Sequence, residues 1–540
     1  MMAGLLPTAE DNQPTFVRRP TPKRSTNHLQ KQLSPDEYAR AVEAYSKLPK
    51  GLNYIHLSTF LNKDHPLALQ VVDSNDTETK TPIDEQNGDI VSMYILDGGD
   101  QASTPYNFRT PNEVSESQPD KSNCIIFLRG FLSAEWINSV GGRYFVDPAF
   151  FVNHLDLGSA QNDSTIDFSI PSLPSSSWNL FQLPVTTLGS REHSPLGTLQ
   201  SAWIEDARRK GKIELDNHHQ RLSKLSDSEV SLGESITRNY YVFDNTHFAI
   251  DQRISICVQH DSEDEKKRFR LFVWIDAGTR LSRRFTYPWD VKDLESRRHP
   301  VVDYRPMDAL KGHLFQSSDS NSLSQLPNNY GRSLHRETKA VDPFYALTEV
   351  FQFSANSQQQ FLNMMDTKIR IYTSQASQKD HEILPHLKYT QEILYSRIQD
   401  IKRILRSIEN TTRPVWAKSN CETGMKKAEI AAAAIRRDFE DLLDRATSLY
   451  DRTRESITVL QSSISITESH LARKLTILAL VFVPVSVATG IFGMNVKELP
   501  GDRISIYWFF VLVAILILLL SLLFFINRKW MKWMKSGQRL

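Results

Sequence analysis

Two long apolar runs near the C-terminus constrain this chain more than any other feature. Residues 475–492 and 504–526 contain no charged side chain. A bilayer core about 30 Å thick is crossed by roughly 20 apolar residues in a helix, so each run predicts a transmembrane helix. The first run is the shorter one, but Arg473 and Lys474 just before it can snorkel to the interface. A short segment, 493–503, joins the runs, and together they predict a membrane hairpin.

The remainder of the chain is too polar to enter lipid. Charged residues make up 24% of the 540 residues, and the mean hydropathy is −0.39. The hairpin is therefore expected to carry a large water-soluble body. A net charge of +1 gives no indication of nucleic-acid binding. The three cysteines, Cys124, Cys257 and Cys421, have no metal-ligand spacing, which fits a body kept in reducing cytosol.

The charges around the two runs predict the topology. The tail, 527–540, contains lysines and arginines and no acid. The positive-inside rule then places both termini in the cytoplasm, as in an integral membrane protein with two spans, for which we expect the plasma membrane. Residues 1–32 are polar and lack the apolar core of a secretory signal, so we expect this N-terminus to be disordered.

Residues 33–340 carry the pattern of a cytoplasmic α/β domain. Helical spacing is found at 35–48 and at 133–155, the latter interrupted near Gly141-Gly142 and restarted at Asp147-Pro148. Strand patterns occur at 123–128, 240–243, 254–258 and 269–275. We predict an α+β fold, a mixed sheet with flanking helices. Long loops are expected at 158–235 and 288–340, with His218 and His219 solvated in the first rather than bound to zinc.

Residues 341–474 are predicted to be helical, and the last helix is very long. Helices are expected at 344–353, 358–372 and 381–408. From 425 to 492 apolar residues recur at threes and fours, with four consecutive alanines at 431–434. A single helix on the order of 100 Å long would run from the body into the bilayer. Such a stalk helix either transmits a conformational signal or serves as a coiled coil that spaces or oligomerises the body.

One face of the first apolar run has small or weakly polar residues at a helical spacing. They are Leu475, Ala479, Val483, Ser486 and Gly490, followed by Gly493. Two spans cannot enclose a pore, so a conducting protein would need several copies around one axis. The uncharged face suits a hydrated ion in such a pore, whereas acidic rings line other cation channels. Ordinary close packing of helices uses the same residues, and spacing alone favours that interpretation.

The tripeptide Gly493-Met494-Asn495 follows that face directly. Mg²⁺ holds its six waters tightly and sheds them reluctantly. A ring of Asn495 side-chain carbonyls could accept hydrogen bonds from those waters and bind the metal through its outer shell. Mg²⁺ would be cargo, and no cofactor is expected.

These features together resemble the CorA magnesium-transporter superfamily. The resemblance rests first on the position of Gly-Met-Asn, directly after the penultimate span. It rests also on Leu475-Thr476-Ile477 and Pro484 within that span, and on Pro500 in the short loop. The last span and the basic tail continue it. Residues 135–155 also resemble a segment of fungal CorA-like proteins.

The resemblance implies a fold, an assembly and an activity. It implies a homopentamer whose long helix lines an ion channel, a cytoplasmic funnel of α/β domains, and flux of Mg²⁺ down its gradient. Asn495 would form the selectivity ring and Leu475 the inner hydrophobic constriction. Ser486 stands in place of a threonine and Val483 in place of a frequent methionine, while Gly490 and Gly493 match. The partners implied are further copies of the chain, the lipid bilayer and divalent cations, with no nucleic acid.

Two departures from the family pattern leave alternatives open. Lys497 stands where the loop usually has an acid, and Thr458 where the stalk is expected to carry a regulatory acid. The chain could transport zinc or another divalent cation, or it could be a non-conducting, membrane-anchored scaffold with a degenerate pore. An enzyme is not expected, because no phosphate-binding glycine loop, Gly-x-Ser-x-Gly or paired-histidine zinc motif is present.

Overall fold

A computed structural model describes most of the body and of the long helix. The described residues are 32–62, 90–96, 105–117, 122–155, 173, 177–191, 201–224, 232–260, 268–278, 287–289, 296–302, 322–375, 380–410, 421–493, 507, 510–519 and 521–522. Residues 1–31, predicted to be disordered, lie outside them, as do Met494, Asn495 and the tail.

The body is built on one sheet of eight strands. The strands are β1 Val91–Ile95, β2 Tyr106–Phe108, β3 Cys124–Arg129, β4 Leu180–Arg191, β5 Asn239–Val242, β6 His247–His260, β7 Phe269–Ile275 and β8 Ser296–Arg298. Their order is β2-β1-β3-β7-β6-β4-β8, and β5 also pairs with β6. Only β3 and β7 pair in parallel among these strands, and the other pairs are antiparallel. The predicted mixed sheet is confirmed.

Short helices from the first half of the chain cover one face of the sheet. They are α1 Pro35–Ser46, α2 Ile55–Leu61, α3 Pro111–Glu116, α4 Ala134–Tyr144 and α5 Pro148–Leu155, with a 3₁₀ helix at Pro49–Tyr54. Ser34 and Glu37 form a reciprocal capping box at the start of α1. Ser133 caps α4, where its hydroxyl accepts from the Trp136 N–H. A further helix, α6 Ser201–Lys224, packs beside β5.

Longer helices from the second half cover the other face. After a 3₁₀ turn at Leu323–Gln325 come α7 Leu326–Asn329, α8 Arg336–Lys339, α9 Pro343–Ala346, α10 Thr348–Gln375, α11 Asp380–Asn410 and α12 Glu422–Gly493. The single long helix predicted for 425–492 is therefore confirmed as α12, which has 72 residues. At 1.5 Å per residue it is about 110 Å long.

The two central strands are buried on both faces, which explains their continuous apolar runs. In β3, Ile125 and Phe127 join the core under the C-terminal helices, whereas Ile126 and Leu128 join the core under the N-terminal helices. Successive side chains of a strand point to opposite faces, so each half of the strand's residues faces a different helix layer. The architecture is three layers, with the sheet in the middle.

Two sequence-based boundaries were wrong. Gly141-Gly142 does not interrupt α4, which continues to Tyr144 and ends at Phe145 in a left-handed conformation with φ 54°. A Cβ on Gly141 would lie 2.4 Å from the ring of Tyr38 on α1. The glycine therefore permits close packing of two helices rather than a break.

The long loop predicted at 158–235 was also wrong in large part, because it contains β4 and α6. His218 is not solvated: it is 1% exposed, and its Nδ1 lies 3.0 Å from the Tyr287 hydroxyl. Burial lowers the pKa of His218 to about 3, so the ring is neutral. His219 reaches the carbonyl of Thr237 through Nε2. The described residues of 288–340 include β8, the 3₁₀ turn Leu323–Gln325, α7 and α8.

Candidate functional site

The long helix α12 has three parts that differ in their surroundings. From Glu422 to Leu460 one face is buried against the body. Residues 461–474, here called the neck, are exposed on nearly every side. From Leu475 onward the helix is apolar, and its described side chains are exposed or half-exposed. A rigid element thus continues from the body into a segment that only lipid or other protein could cover.

The lower part of α12 is fixed to α10 and α11 by a continuous apolar face. Its buried side chains recur at threes and fours, and they include Ile435, Phe439, Leu442, Ala446 and Leu449. This spacing keeps one face of a helix against its neighbours. The apolar positions of the predicted pattern are therefore buried as far as Leu460, whereas Ile464 is half-buried and Leu475 is exposed.

Polar contacts between α10 and α12 add to the apolar packing. Arg445 donates to the side-chain oxygen of Asn363 at 2.6 Å, and Arg452 lies 3.3 Å from Asp366. Both contacts are near the surface and stabilise little individually. Their position matters more, because they hold the exposed side of α10 to the stalk.

The neck has the composition of a helix with little intrinsic stability. Ser462, Thr467 and Ser469 each donate a hydroxyl hydrogen bond to the carbonyl four residues earlier. Such back-bonding satisfies the hydroxyl but does not strengthen the helix. The neck therefore contrasts with the alanine-rich start of α12.

Among the described residues, one helix is long and apolar enough to cross a membrane, and that helix is α12. None of its apolar window is buried by other described residues. The second predicted span is described only in part, including a shorter apolar helix at Phe510–Leu519. Two C-terminal spans therefore remain a prediction.

The positions predicted to line a pore share one face of α12. At about 100° per residue, Leu475, Ala479, Val483, Ser486 and Gly490 fall within about 80° of arc. All five are exposed, and a Cβ on Gly490 would have no described atom within 4 Å. Gly493 is the last residue of the helix. Met494 and Asn495 lie outside the described residues, so their role stays a prediction.

The stalk position expected to carry a regulatory acid is open to solvent. Thr458 is exposed, and its hydroxyl donates to the Arg454 carbonyl at 3.0 Å. Asp451 and Glu455 are exposed within two turns of it. Within the described part of this single chain, no group of three or more His, Cys, Asp or Glu side chains could hold a metal ion.

A buried ion pair connects the sheet to α11, and sequence reasoning missed it. The Arg397 guanidinium donates to both carboxylate oxygens of Asp251 on β6, at 2.9 and 2.7 Å. Thr186 on β4 donates to the same carboxylate at 2.6 Å. Burial lowers the pKa of Arg397, but the Asp251 charge outweighs it and raises that pKa. The sequence did contain a signal for this pair, because Arg397 lies on the apolar face of α11, between Leu394 and Ile401.

A second buried group lies at the end of β7. Asp276 accepts from Arg238 through both carboxylate oxygens, at 2.8 Å each, and His154 Nε2 lies 3.2 Å away. Burial opposes ionisation, but Arg238 and His154 hold the pKa of Asp276 below its usual range. Burial lowers the pKa of His154 to about 4. Asp276 and His154 have no access to solvent, so the group is structural.

The stalk and the apolar segments match a known family. Residues 314–529 match the family model of the CorA-like Mg²⁺ transporter protein. The predicted resemblance to the CorA-like superfamily is confirmed. The match covers about two fifths of the chain and includes α10, α11 and α12, while the eight-stranded sheet precedes it. CorA-like proteins are transporters rather than enzymes, and they carry Mg²⁺ as cargo and need no cofactor.

Two yeast proteins share a shorter stretch with this chain. It is 34% identical over 94 residues to magnesium transporter ALR1 of Saccharomyces cerevisiae, and 33% identical over 94 residues to magnesium transporter ALR2 of the same yeast. Each match covers 17% of this chain and 10% of the yeast protein. The chain thus matches about a tenth of the length of these relatives.

A solved structure resembles this chain over much of its length, but only loosely. The match to the CorA magnesium transporter of Methanocaldococcus jannaschii covers 81% of this chain and 97% of the transporter's chain. The sequence identity is 11% and the TM-score is 0.36. A TM-score this low adds no weight to the assignment.

Proposed function

We propose that this protein is a homo-oligomeric membrane transporter for divalent cations, with Mg²⁺ as its main cargo. The observation that supports this most strongly is the continuity of α12. One helix packs on the body through Phe439, crosses the exposed neck and ends, after an exposed apolar segment, at the glycine of Gly-Met-Asn. This helix lies within the region that matches the CorA-like family.

Several copies are needed because a single α12 cannot enclose a path. Leu475 is 65% exposed and Val483 is 52% exposed. Apolar surface in contact with water is unfavourable, so lipid or neighbouring helices must cover these side chains. Arranging the uncharged face of α12 toward a common axis would give a path lined by Leu475, Ala479, Val483, Ser486 and Gly490. We propose a homopentamer, by analogy with the family, with two spans and both termini in the cytoplasm.

The chemistry of this path fits an ion that keeps its water. Neutral amide oxygens of Asn495 can accept hydrogen bonds from the waters of Mg²⁺ without stripping them. The Ser486 hydroxyl supplies a second neutral acceptor, and Leu475 supplies an apolar constriction that can close by dewetting. A zinc or other divalent cargo would use the same uncharged path.

A non-conducting scaffold is the second candidate. It is favoured by Lys497, a positive residue beside the proposed selectivity ring, and by Thr458, a neutral residue at the expected regulatory position. If Thr458 replaces the regulatory acid, closure by cytoplasmic Mg²⁺ would be weakened even in a conducting protein.

Growth rescue of a host that lacks Mg²⁺ uptake separates these functions. The intact chain should restore growth at low Mg²⁺, and Asn495→Ala should not, because the variant lacks the amide oxygen. Asn217→Ala is the matched control, since Asn217 is an exposed residue of α6 far from the stalk in sequence. Rescue by both variants would refute the role of Asn495. A lack of rescue by the intact chain, with normal membrane expression, would favour the scaffold.

A further inference from the structure

Helix α6 is attached to α11 through an arginine, Arg208, that makes no ion pair with any described residue. The Arg208 guanidinium donates to the Val242 carbonyl on β5 at 2.8 Å, and its Nη1 lies 3.1 Å from His386 Nδ1 on α11. It also lies over the ring of Tyr389, with Cζ 3.8 Å from the ring centroid. A ring face and two neutral acceptors offset a cation only in part, so a positive charge without a counter-charge remains at this junction.

Two hydrogen-bond donors at this junction are buried without a partner. The Arg208 Nη2 and His386 Nε2 atoms are shielded from solvent, and neither has a hydrogen-bond partner among the described residues. His386 as a whole is 1% exposed. Because arginine can only donate, His386 Nδ1 accepts from it, and the neutral ring then carries its proton on Nε2. Burial and the nearby Arg208 charge lower the pKa of His386 to about 4, which keeps the ring neutral near pH 7.

The charge of the junction decides what can satisfy these donors. Burial lowers the pKa of the Arg208 guanidinium, and the weaker opposite influence of exposed Glu205 does not cancel it. A buried donor without a partner is unfavourable, and a buried cation without a counter-charge is more so. A water molecule can accept from both donors but leaves the charge uncompensated. An anion accepts from both donors and also supplies the missing negative charge.

We propose that a small monovalent anion of the size of chloride binds between Arg208 Nη2 and His386 Nε2. A single negative charge matches the single guanidinium. A phosphate fits less well, because its four oxygens need more donors than this pair offers in a site closed to solvent. Since Arg208 belongs to α6 and His386 to α11, the bound anion would hold α6 to the helix layer that packs against α12. The site is independent of the proposed transport function.

Thermal unfolding of the purified full chain at increasing chloride concentration tests the proposal. Gluconate replaces chloride at constant ionic strength, because this anion is too large for a buried site. The melting temperature of the wild type should rise by several degrees as chloride replaces gluconate, since a ligand that binds only the folded state stabilises it by mass action. Bromide, with the same charge and nearly the same size, should act as chloride does.

Arg208→Gln should abolish this rise, because it removes the charge and the Nη2 donor together. Arg209→Gln is the matched control: it changes the next residue of α6, whose side chain is 69% exposed and pairs with Asp206, and it should keep the full rise. An equal rise in Arg208→Gln and the wild type would overturn the proposal, as it would show that chloride acts elsewhere. A wild type whose melting temperature does not respond to chloride would also overturn it.

A second variant, His386→Phe, decides the question if Arg208→Gln does not fold. Phenylalanine keeps a flat ring against Tyr372, on which the His386 ring stacks with centroids 5.5 Å apart, but it has no nitrogen. The chloride concentration needed for a given rise in melting temperature should increase several-fold, because one of the two donors is lost while the Arg208 charge stays. An unchanged chloride dependence in His386→Phe would refute the two-donor site. None of these readouts measures ion flux, so they remain interpretable whether or not the protein transports Mg²⁺.

Discussion

Replacing Arg397 by methionine should destabilise the body more than any surface charge substitution. The side chains of Arg397 and Asp251 are 3% and 8% exposed, and the pair joins α11 to the sheet. Methionine keeps much of the arginine's length but leaves the Asp251 carboxylate buried without its counter-charge.

The expected cost is large because the remaining charge cannot reach water. Breaking one side of a buried ion pair costs about 3 to 5 kcal/mol in free energy of unfolding. The Thr186 hydroxyl still donates to the carboxylate but carries no charge. For a body of this size each kcal/mol lowers the melting temperature by roughly 2 °C, so a fall of about 6 to 10 °C is expected.

Thermal unfolding of the purified full chain, followed by tryptophan fluorescence, measures this change. The matched control is Arg436→Met on α12. Arg436 pairs with Glu440, and their side chains are 53% and 50% exposed. That control should leave the melting temperature close to that of the wild type, because both charges of the surface pair stay in contact with water. Asp251→Asn added to Arg397→Met should recover much of the loss, because it removes the unpaired charge.

Two results would refute the reasoning. The first is an Arg397→Met variant that melts within the range of the surface control. The second is a double variant that is no more stable than Arg397→Met alone, which would mean that lost packing rather than the unpaired charge causes the effect.

Three further predictions concern the body. His154 has a pKa lowered to about 4, so the unfolded chain binds a proton that the folded chain does not as pH falls from about 6.5 to 4. Between pH 7 and pH 5, the free energy of unfolding of the wild type should fall by about 2 kcal/mol more than that of His154→Gln, as measured by chemical denaturation. Equal falls in the two proteins would contradict this. Phe439→Ala, which removes a fully buried ring packed edge-to-face on Phe351, should cost about 3 to 5 kcal/mol in the same assay, and a cost below that of a surface residue would refute its place in the core. Gly278→Ala should reduce the yield of folded protein, because its Cβ would lie 1.8 Å from the Gly233 carbonyl oxygen, and a normal yield and melting temperature would show that this contact is not tight.

The elements that sequence predicted well are those with a strong, continuous period. Helix α12 and the two central strands β3 and β7 were predicted near their observed bounds, because each has an unbroken apolar pattern and few competing turn residues. The mixed sheet followed from those strands.

The elements that sequence missed have patterns diluted by polar residues. Helix α6 is highly charged and buries only a narrow face, including Ile204 and His218, so its segment resembles a loop in composition. The glycines of α4 were interpreted as a break because nothing in the local sequence indicates that Tyr38, far away in the chain, packs against Gly141.

The candidate site was predictable in part for a similar reason. The spacing of Leu475, Ala479, Val483 and Ser486 places them on one helix face, and α12 is continuous through all four positions. Whether that face lines a path depends on copies of the chain and on Asn495, which local periodicity cannot specify. The Arg397–Asp251 pair was missed because ion pairs between distant elements depend on tertiary packing.

Ion flux through the purified protein tests the central claim most directly. The full chain is reconstituted into liposomes that contain a Mg²⁺-sensitive dye, and external Mg²⁺ is added. Uptake is expected with the wild type and with Asn217→Ala, and it should fall to the level of empty liposomes with Asn495→Ala. Absence of uptake by a correctly assembled wild type, or uptake unchanged in Asn495→Ala, would contradict the account.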